Sequence, residues 1–312
     1  MSEGIPIEAP AERAPAGARP STLAVWIRVC RLPTLTASAV PVVVGSAVAW
    51  RHGSFHAAVA LAALVGAICI QIGTNLANDL FDFRKGADSP DRIGPPRALA
   101  MGWLAPAEVR DGMVVAFAAA AVAGIYLVGP AGWPVLAIGL VSIAAGIAYT
   151  AGPYALAYIG LGDACVFFFF GFVAVLGTYY VQAGSLDPEA TIAAIPVGAL
   201  ATAILVVNNV RDMETDRAAG KRTLAVLLGR GAARAEYGTL LVSAFAIPIL
   251  LWAQGLRSAW VLLPLATATL AARTLHDVIE RTDGPGLNGA LLDTARLHAI
   301  FGILFAVGLM LG

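Results

Sequence analysis

The chain has 312 residues, of which 59% are hydrophobic and 13% are charged, and its formal net charge is zero. An ordinary soluble domain has about 25% charged residues. The composition therefore excludes a soluble enzyme and predicts an integral membrane protein. The balanced charge gives no reason to expect a nucleic-acid partner.

The first residues have a different composition from the rest. Residues 1–20 are rich in Ala, Pro, Glu and Gly, and they lack a basic start followed by an apolar core, so they do not resemble a secretory signal. We predict a disordered cytoplasmic tail over residues 1–20 and a single transmembrane domain over residues 21–312.

Long uncharged stretches predict an all-α fold with nine transmembrane helices. A spanning helix needs about 20 mostly apolar residues; the stretch 57–78 is long enough for one span, and the stretch 112–162 is long enough for two. The predicted spans are 33–51, 57–80, 108–128, 132–150, 160–183, 190–211, 234–254, 258–278 and 291–311.

The distribution of basic residues predicts the orientation. With nine spans, only Arg51 and Arg257 of the 20 Lys and Arg residues lie on one side of the membrane. Basic residues collect on the cytoplasmic side. We therefore expect a protein of the cytoplasmic membrane whose amino terminus and motif-bearing loops face the cytoplasm.

One polar motif occurs twice. The segment NLANDLFDFRKGADSPDRIGPPRAL begins at Asn75, and NNVRDMETDRAAGKRT begins at Asn208. Each copy ends an even-numbered span and continues into a basic loop, and the two copies are four spans apart. This spacing indicates a repeat of four helices, so that two repeats and one extra helix would form a bundle around a central cavity.

Helical periodicity places the acids of each copy on one face. Asn75, Asp79 and Asp82 align in the first copy, and the same spacing aligns Asn208, Asp212 and Asp216 in the second. If the two faces meet, four carboxylates converge and repel one another. Mg²⁺ favours such oxygen ligands and shares its shell with phosphates, so the pattern predicts a metal-bridged diphosphate held by Asp79, Asp82, Asp212 and Asp216.

Further polar residues of the two motifs are candidates for substrate binding, since cationic groups bind phosphate oxygens. They are Asn78, Arg84, Lys85, Arg97, Asn209, Arg211, Lys221 and Arg222. A single acidic helix end is usually a solvated boundary, and basic loops follow from topology alone. Two matching copies near membrane depth favour a functional site.

A diphosphate at the mouth of an apolar bundle predicts a lipid-tailed substrate such as an allylic prenyl diphosphate. Its carbocation needs a dry site with aromatic faces. Tyr149 and Tyr158 flank the loop after the fourth span and are candidates for this role. At most one or two side chains of the run 167–170, which is four phenylalanines, can face a cavity, because consecutive helical residues point around the axis.

From about Arg31 onward the chain resembles the UbiA-type intramembrane prenyltransferases, and within them the branch that acts on 1,4-dihydroxy-2-naphthoate. The residues that carry the resemblance are the two motifs, YTAGPYALAYIGLGD from Tyr149, and FFGFVAVLGTYYVQ from Phe169. The resemblance implies nine helices with Asp-rich motifs ending the second and the sixth.

The resemblance also implies an activity. A polyprenyl group would pass to the naphthoate ring with loss of pyrophosphate and CO₂, giving demethylmenaquinone, with two Mg²⁺ ions bridging the diphosphate. Asn75 and Asn208 would assist the four aspartates. Arg31 is a candidate for binding a substrate carboxylate, and Asp163 stands where the family has Glu.

Two other interpretations stay open at this point. The acceptor could be 4-hydroxybenzoate, homogentisate or a chlorophyllide, which would need the same diphosphate machinery. A secondary transporter also has repeats and buried acids, but its ionisable residues lie near the membrane midplane. Here the acids lie at span ends, which disfavours a transporter.

Overall fold

The computed structural model describes residues 20–87 and 94–312. These residues form helices and turns, with no strand among them. The α-helices are α1 Thr22–Cys30, α2 Thr36–Arg51, α3 Ala57–Arg84, α4 Pro106–Ala131, α5 Pro134–Ala148, α6 Gly162–Val166, α7 Ala174–Ala183, α8 Pro188–Ala218, α9 Leu224–Leu228, α10 Arg230–Ala253, α11 Ala268–Glu280 and α12 Gly284–Leu311. Shorter 3₁₀ segments are Leu32–Leu35, Leu156–Tyr158 and Ala259–Thr267, and Phe167–Val173 is a π-helix.

The helices confirm a multi-pass membrane protein. Within the described ranges, seven helical stretches are long and apolar enough to cross a membrane, and α5 is a shorter apolar helix. The stretch before the last crossing is irregular, because Ala259–Thr267 is a 3₁₀ segment that leads into α11. Nine crossings therefore stay a prediction. The predicted tail, apart from Pro20, and residues 88–93 of the first motif's loop lie outside the described residues.

The two motif-bearing helices are longer than the predicted spans. The second predicted span ends at residue 80, whereas α3 continues to Arg84; the sixth ends at residue 211, whereas α8 continues to Ala218. Hydropathy marks the apolar part of a helix, while the backbone hydrogen bonds continue into the polar part. As a result, all four predicted metal-binding aspartates lie on regular helix, which fixes the face that each one occupies.

The centre of the bundle is α8. In the most apolar 18-residue stretch of α8, 78% of the residues are buried inside the protein, whereas the corresponding share is 22% for α3 and 22% for α4. It packs against α2, α10, α12 and the π-helix. At Gly198 there is no room for a side chain, because a Cβ atom would lie 2.8 Å from the carbonyl oxygen of Phe167. Small residues let membrane helices approach backbone to backbone, and here they seat α8 against the helix that carries the phenylalanine run.

The π-helix determines how the four phenylalanines point. Its wider turns differ from the α-helical period, and such segments are frequent at functional sites. Phe169 and Phe170 line the central cavity, Phe167 packs against the core, and Phe168 is 53% exposed. The prediction that at most two of the four face a cavity is confirmed.

Candidate active site

A cavity of about 380 Å³ lies between α3, α4, α5, α7 and α8. Its polar part contains residues of both motifs, and among these are three of the predicted metal ligands, Asp82, Asp212 and Asp216. Apolar side chains such as Leu127 and Phe169 line the rest of its wall. A pocket with an apolar wall and a few converging polar groups is typical of a small-molecule site.

The aspartates of the first motif are buried and paired with basic side chains. Asp79 and Asp82 are 3% and 2% exposed. Both Arg31 and Arg97 contact Oδ1 of Asp79. Arg97 also lies 3.4 Å from Oδ2 of Asp82. Arg97, which is itself buried and lines the cavity, therefore joins the two carboxylates.

Arg31 reaches Asp79 from an unusual backbone conformation. It lies between α1 and the 3₁₀ segment Leu32–Leu35, and its φ of 52° makes it the one non-glycine residue with positive φ among those described. Such a conformation costs about 1–3 kcal/mol and persists where the surroundings enforce it. Nearby, Asn75 donates to the Cys30 carbonyl oxygen at 3.1 Å and to the Thr34 hydroxyl at 3.2 Å. These contacts hold the turn against α3, with Arg31 lining the cavity.

The second motif has its own internal brace. Arg211, which is buried, donates to both carboxylate oxygens of Asp212 at 2.7 and 2.6 Å. The same guanidinium group bonds Asn208 at 2.7 Å and Asn288 of α12 at 2.9 Å. Arg211 thereby holds the side-chain oxygens of Asn208 and Asp212 together, and both of these residues line the cavity.

Lys221 connects the two motifs. Its ammonium group lies 3.0 Å from Oδ2 of Asp82 on α3 and 3.8 Å from Oδ1 of Asp216 on α8. Tyr158 donates to Oδ1 of Asp82 at 2.9 Å. The centre of its ring lies 5.1 Å from Nζ of Lys221 and 4.2 Å from Nζ of Lys85. The predicted meeting of the two acidic helix ends is therefore present in the structure.

The predicted site residues fall into two groups. Those that line the cavity are Arg31, Asn75, Asn78, Asp82, Arg97, Tyr149, Asn208, Asn209, Asp212, Asp216 and Lys221. Those outside the lining are Asp79, Arg84, Lys85, Tyr158, Arg211 and Arg222. Asp79, Tyr158 and Arg211 support the lining residues through the contacts above. Lys85 donates to the Gly152 carbonyl oxygen at 3.1 Å, and Arg222 is exposed and bonds Tyr158 through its backbone at 3.3 Å.

The charge of the acidic cluster differs from the expectation of four bare carboxylates. Each of the four aspartates has a basic partner, and Lys221 serves both Asp82 and Asp216. The repulsion inferred from the motifs is thus relieved by side chains of the same two motifs and by Arg31. Buried carboxylates are stable only when paired and hydrogen-bonded, so this arrangement keeps the site folded before any ligand binds.

Lys85, which directly follows α3, has a shifted pKa. Burial and the positive charge of Lys221 lower the pKa of Lys85, against the opposing effect of Asp82.

Three residues that bond to the site were not among the candidates from the sequence. Thr150 donates to Asn78 at 2.9 Å, Gln71 donates to Asn75 at 3.2 Å, and Asn288 accepts from Arg211. Thr150 and Asn288 lie far from the motif residues along the chain. Only packing of the helices brings them together. Gln71 precedes Asn75 by one helical turn, and this spacing could have indicated it.

Another cluster of possible metal ligands lies at the other end of α8. His52, Asp187 and Glu189 have ligand atoms within 4.8 Å of one another. Along α8, at about 1.5 Å per residue, Glu189 is about 35 Å from Asp212. Arg257 bonds Glu189 through Nε at 2.6 Å and also contacts its other oxygen. Glu189 is thus already neutralised, and we do not count this cluster with the cavity site.

Comparison with known proteins identifies the family. The model of the UbiA prenyltransferase family matches residues 38–291. The chain belongs to the UbiA prenyltransferase family. Among curated relatives of this UbiA family member, the 1,4-dihydroxy-2-naphthoate octaprenyltransferase of Escherichia coli (strain K12) is 37% identical over 292 residues, which is 92% of this chain and 95% of the relative. The enzyme of the same name from Mycobacterium tuberculosis is 37% identical over 293 residues, 94% and 99% of the two chains.

Solved structures share the fold of this UbiA family member. A UbiA homolog from Archaeoglobus fulgidus bound to DMAPP and Mg²⁺ superposes with a TM-score of 0.59 at 15% identity, covering 90% of this chain and 99% of the homolog. Digeranylgeranylglyceryl phosphate synthase superposes with a TM-score of 0.63 at 15% identity, covering 93% and 99%. The helical bundle described above is therefore a UbiA fold.

Proposed function

We propose that this protein is a Mg²⁺-dependent prenyltransferase that transfers a polyprenyl group from an allylic polyprenyl diphosphate to 1,4-dihydroxy-2-naphthoate. The products are demethylmenaquinone at the quinol level, pyrophosphate and CO₂. Relatives with this name are 30–37% identical over about nine-tenths of the chain. The acceptor is carried over from those relatives, whereas the diphosphate chemistry rests on the site itself.

The observation that carries the proposal is the convergence of both motifs at one apolar cavity. Asp82 from α3 and Asp212 and Asp216 from α8 line it together, with Arg97 and Lys221 beside them. This combination suits a substrate with an anionic head and a long apolar tail. The head meets cations and metal ligands, while the tail meets the apolar wall.

The donor set fits Mg²⁺, which prefers carboxylate and amide oxygens. Asp79, Asp82, Asp212 and Asp216, assisted by Asn75 and Asn208, would hold two ions. Bound Mg²⁺ would stabilise the charge that develops on the departing diphosphate. Lys221 and Arg97, which pair with these carboxylates in the structure, would then be free to bind diphosphate oxygens.

The chain's own residues also protect the reacting carbon. Phe169 and Phe170 line the cavity, and aromatic faces stabilise cations while apolar walls exclude water. Tyr158 holds Asp82 through its hydroxyl group and thereby fixes one carboxylate oxygen. Water that reached the allylic cation would give an alcohol instead of the prenylated ring.

The same proposal covers the membrane arrangement. Residues 21–312 form a single domain with nine crossings, made of two four-helix repeats and one extra helix, and the amino terminus and the active-site end face the cytoplasm. The packing of α3 on α4, and of α8 on α10, supports equivalent positions in two repeats. The bias of basic residues toward the motif-bearing end supports the orientation.

The test uses purified protein in detergent with Mg²⁺, a polyprenyl diphosphate and one acceptor at a time. Acceptors are 1,4-dihydroxy-2-naphthoate, 4-hydroxybenzoate and homogentisate, and products are identified by mass spectrometry. We expect prenylation of the naphthoate with loss of CO₂, abolished by EDTA and restored by Mg²⁺. Exclusive prenylation of another acceptor would overturn the naphthoate assignment, and activity that persists in EDTA would overturn the metal site.

A further inference from the structure

Asp163 is a buried acid of the cavity that the diphosphate site leaves unused. It is the second residue of α6, it is 4% exposed, and it lines the same cavity as the motif aspartates. Asp82, Asp212 and Asp216 each have a basic partner at 2.6–3.8 Å. Asp163 forms no ion pair with any Lys, Arg or His side chain in the part of the chain that the structure describes.

The side-chain contact of Asp163 leaves it with spare capacity as a hydrogen-bond acceptor. Nδ2 of Asn209 lies 3.4 Å from its Oδ1, which is longer than the usual 2.7–3.2 Å. An ionised carboxylate accepts up to about four hydrogen bonds. Burying it without partners is costly, so a ligand that brings a donor to Asp163 gains more than it would at a solvated carboxylate.

The chemistry of the two proposed substrates decides which of them can supply that donor. A prenyl diphosphate has an anionic head, which an unpaired carboxylate repels, and a tail without polar hydrogens. The dihydroxynaphthoate has two ring hydroxyl groups, and its carboxylate is repelled in the same way as the diphosphate. A hydroxyl group of the aromatic ring is therefore the partner that fits.

We propose that Asp163 accepts a hydrogen bond from a ring hydroxyl of the aromatic acceptor and thereby orients the ring in the cavity. The role rests on the proposed function, because it specifies how that acceptor is held. The proton stays on the hydroxyl group throughout. As a ring carbon attacks the prenyl carbon, positive charge spreads to the hydroxyl oxygen, so the bond to Asp163 strengthens in the transition state.

Tyr149 links this position to the diphosphate site. A Cβ atom on Gly162, the residue before Asp163, would lie 3.1 Å from the Tyr149 hydroxyl oxygen. Tyr149 and Asp163 line the same cavity as Asp82 of the first motif and Asp216 of the second. A ring bonded to Asp163 is thus held in the cavity that contains the motif carboxylates, where the diphosphate leaves.

The experiment compares wild type with Asp163→Asn, which keeps the shape but removes the charge. We expect the KM for 1,4-dihydroxy-2-naphthoate to rise about tenfold to a hundredfold, as for loss of a hydrogen bond to a charged group, with the KM for the polyprenyl diphosphate unchanged. Asp163→Glu restores a carboxylate and is expected to recover most of the naphthoate affinity. Asp293→Asn, which makes the same change at a half-buried carboxyl on α12 outside the cavity lining, is the matched control and is expected to behave as wild type.

Acceptor analogues identify the bonded group. Inhibition constants are measured for 1-hydroxy-2-naphthoate and 4-hydroxy-2-naphthoate with wild type and with Asp163→Asn. The substitution should weaken the analogue that keeps the bonded hydroxyl and leave the other nearly unchanged, as in a double-mutant cycle. Equal weakening of both analogues, or a raised KM for the prenyl diphosphate alone, would overturn the role of Asp163.

Failure of the two proposals can be told apart. Wild-type protein that does not prenylate the naphthoate contradicts the proposed function. An active wild type whose Asp163→Asn variant keeps the original naphthoate KM contradicts only the assignment of Asp163. The unchanged KM for the prenyl diphosphate shows in the same assay that the variant is folded.

Discussion

Replacing Lys221 with methionine is expected to have opposite effects on diphosphate and metal binding. In the structure the ammonium group lies 3.0 Å from Asp82 and 3.8 Å from Asp216, and its side chain is 12% exposed. When the diphosphate binds, we expect Lys221 to turn to its oxygens. A hydrogen bond between charged groups contributes about 1.5–3 kcal/mol, and about 1.4 kcal/mol is tenfold. Lys221→Met should therefore lower kcat/KM for the prenyl diphosphate about tenfold to a hundredfold.

Without diphosphate the same substitution should strengthen Mg²⁺ binding. It removes the positive charge that competes with Mg²⁺ for Asp82 and Asp216, and it leaves their mutual repulsion unrelieved. Isothermal titration calorimetry measures the affinity for Mg²⁺, and steady-state kinetics measures kcat/KM for the prenyl diphosphate. Arg217→Met is the control, because Arg217 is exposed, pairs with Glu214 and does not line the cavity. Weaker Mg²⁺ binding by Lys221→Met, or an unchanged kcat/KM, would refute the reasoning.

Three other substitutions test separate parts of the molecule. Asp212→Ala should abolish transfer in a product assay while the purified protein keeps its helical circular dichroism spectrum; activity near that of wild type would contradict the metal site. Gly139→Leu should exclude long prenyl diphosphates but accept geranyl diphosphate, because Gly139 lines the cavity and a Cβ there meets no atom within 4 Å. Activity with prenyl diphosphates of increasing chain length measures this limit, and Gly129→Leu, at a glycine outside the cavity lining, is the control. Glu189→Gln should lower the free energy of unfolding in detergent by up to about 3 kcal/mol, since Arg257 loses its charged partner. The KM values for the prenyl diphosphate and for the naphthoate should stay unchanged. A change in either KM would indicate that the end of α8 that carries Glu189 is coupled to the cavity.

The sequence determines much of the fold through local rules. Hydropathy places the apolar stretches, because each spanning helix must bury its own backbone groups in about 20 residues. Helical periodicity places Asn208, Asp212 and Asp216 on one face, and the structure has all three at the cavity. The count of crossings is harder to read, because α5 is short and the stretch before α11 is a 3₁₀ segment.

The partners of the site residues were much less predictable. Arg31 stays a candidate for binding a substrate carboxylate, and nothing in the sequence indicated that its guanidinium group contacts Asp79, 48 positions along the chain. The four acids were expected to need an outside cation, but Lys221, Arg211, Arg97 and Arg31 already pair with them. A sequence shows which residues are basic, but it does not show which of them can reach a given carboxylate.

The sequence by itself determined that this is a helical membrane protein with two matched acidic helix ends, because hydrophobicity and helical period act within one segment. Only the tertiary structure decided that Lys221 joins α3 to α8, that Tyr158 holds Asp82, and that Asp163 lines the same cavity with no cationic partner among residues 20–87 and 94–312. Those contacts depend on the tilt, rotation and spacing of helices distant in sequence. These are set by packing at points such as Gly198 against Phe167, for which the linear pattern has no periodic signal.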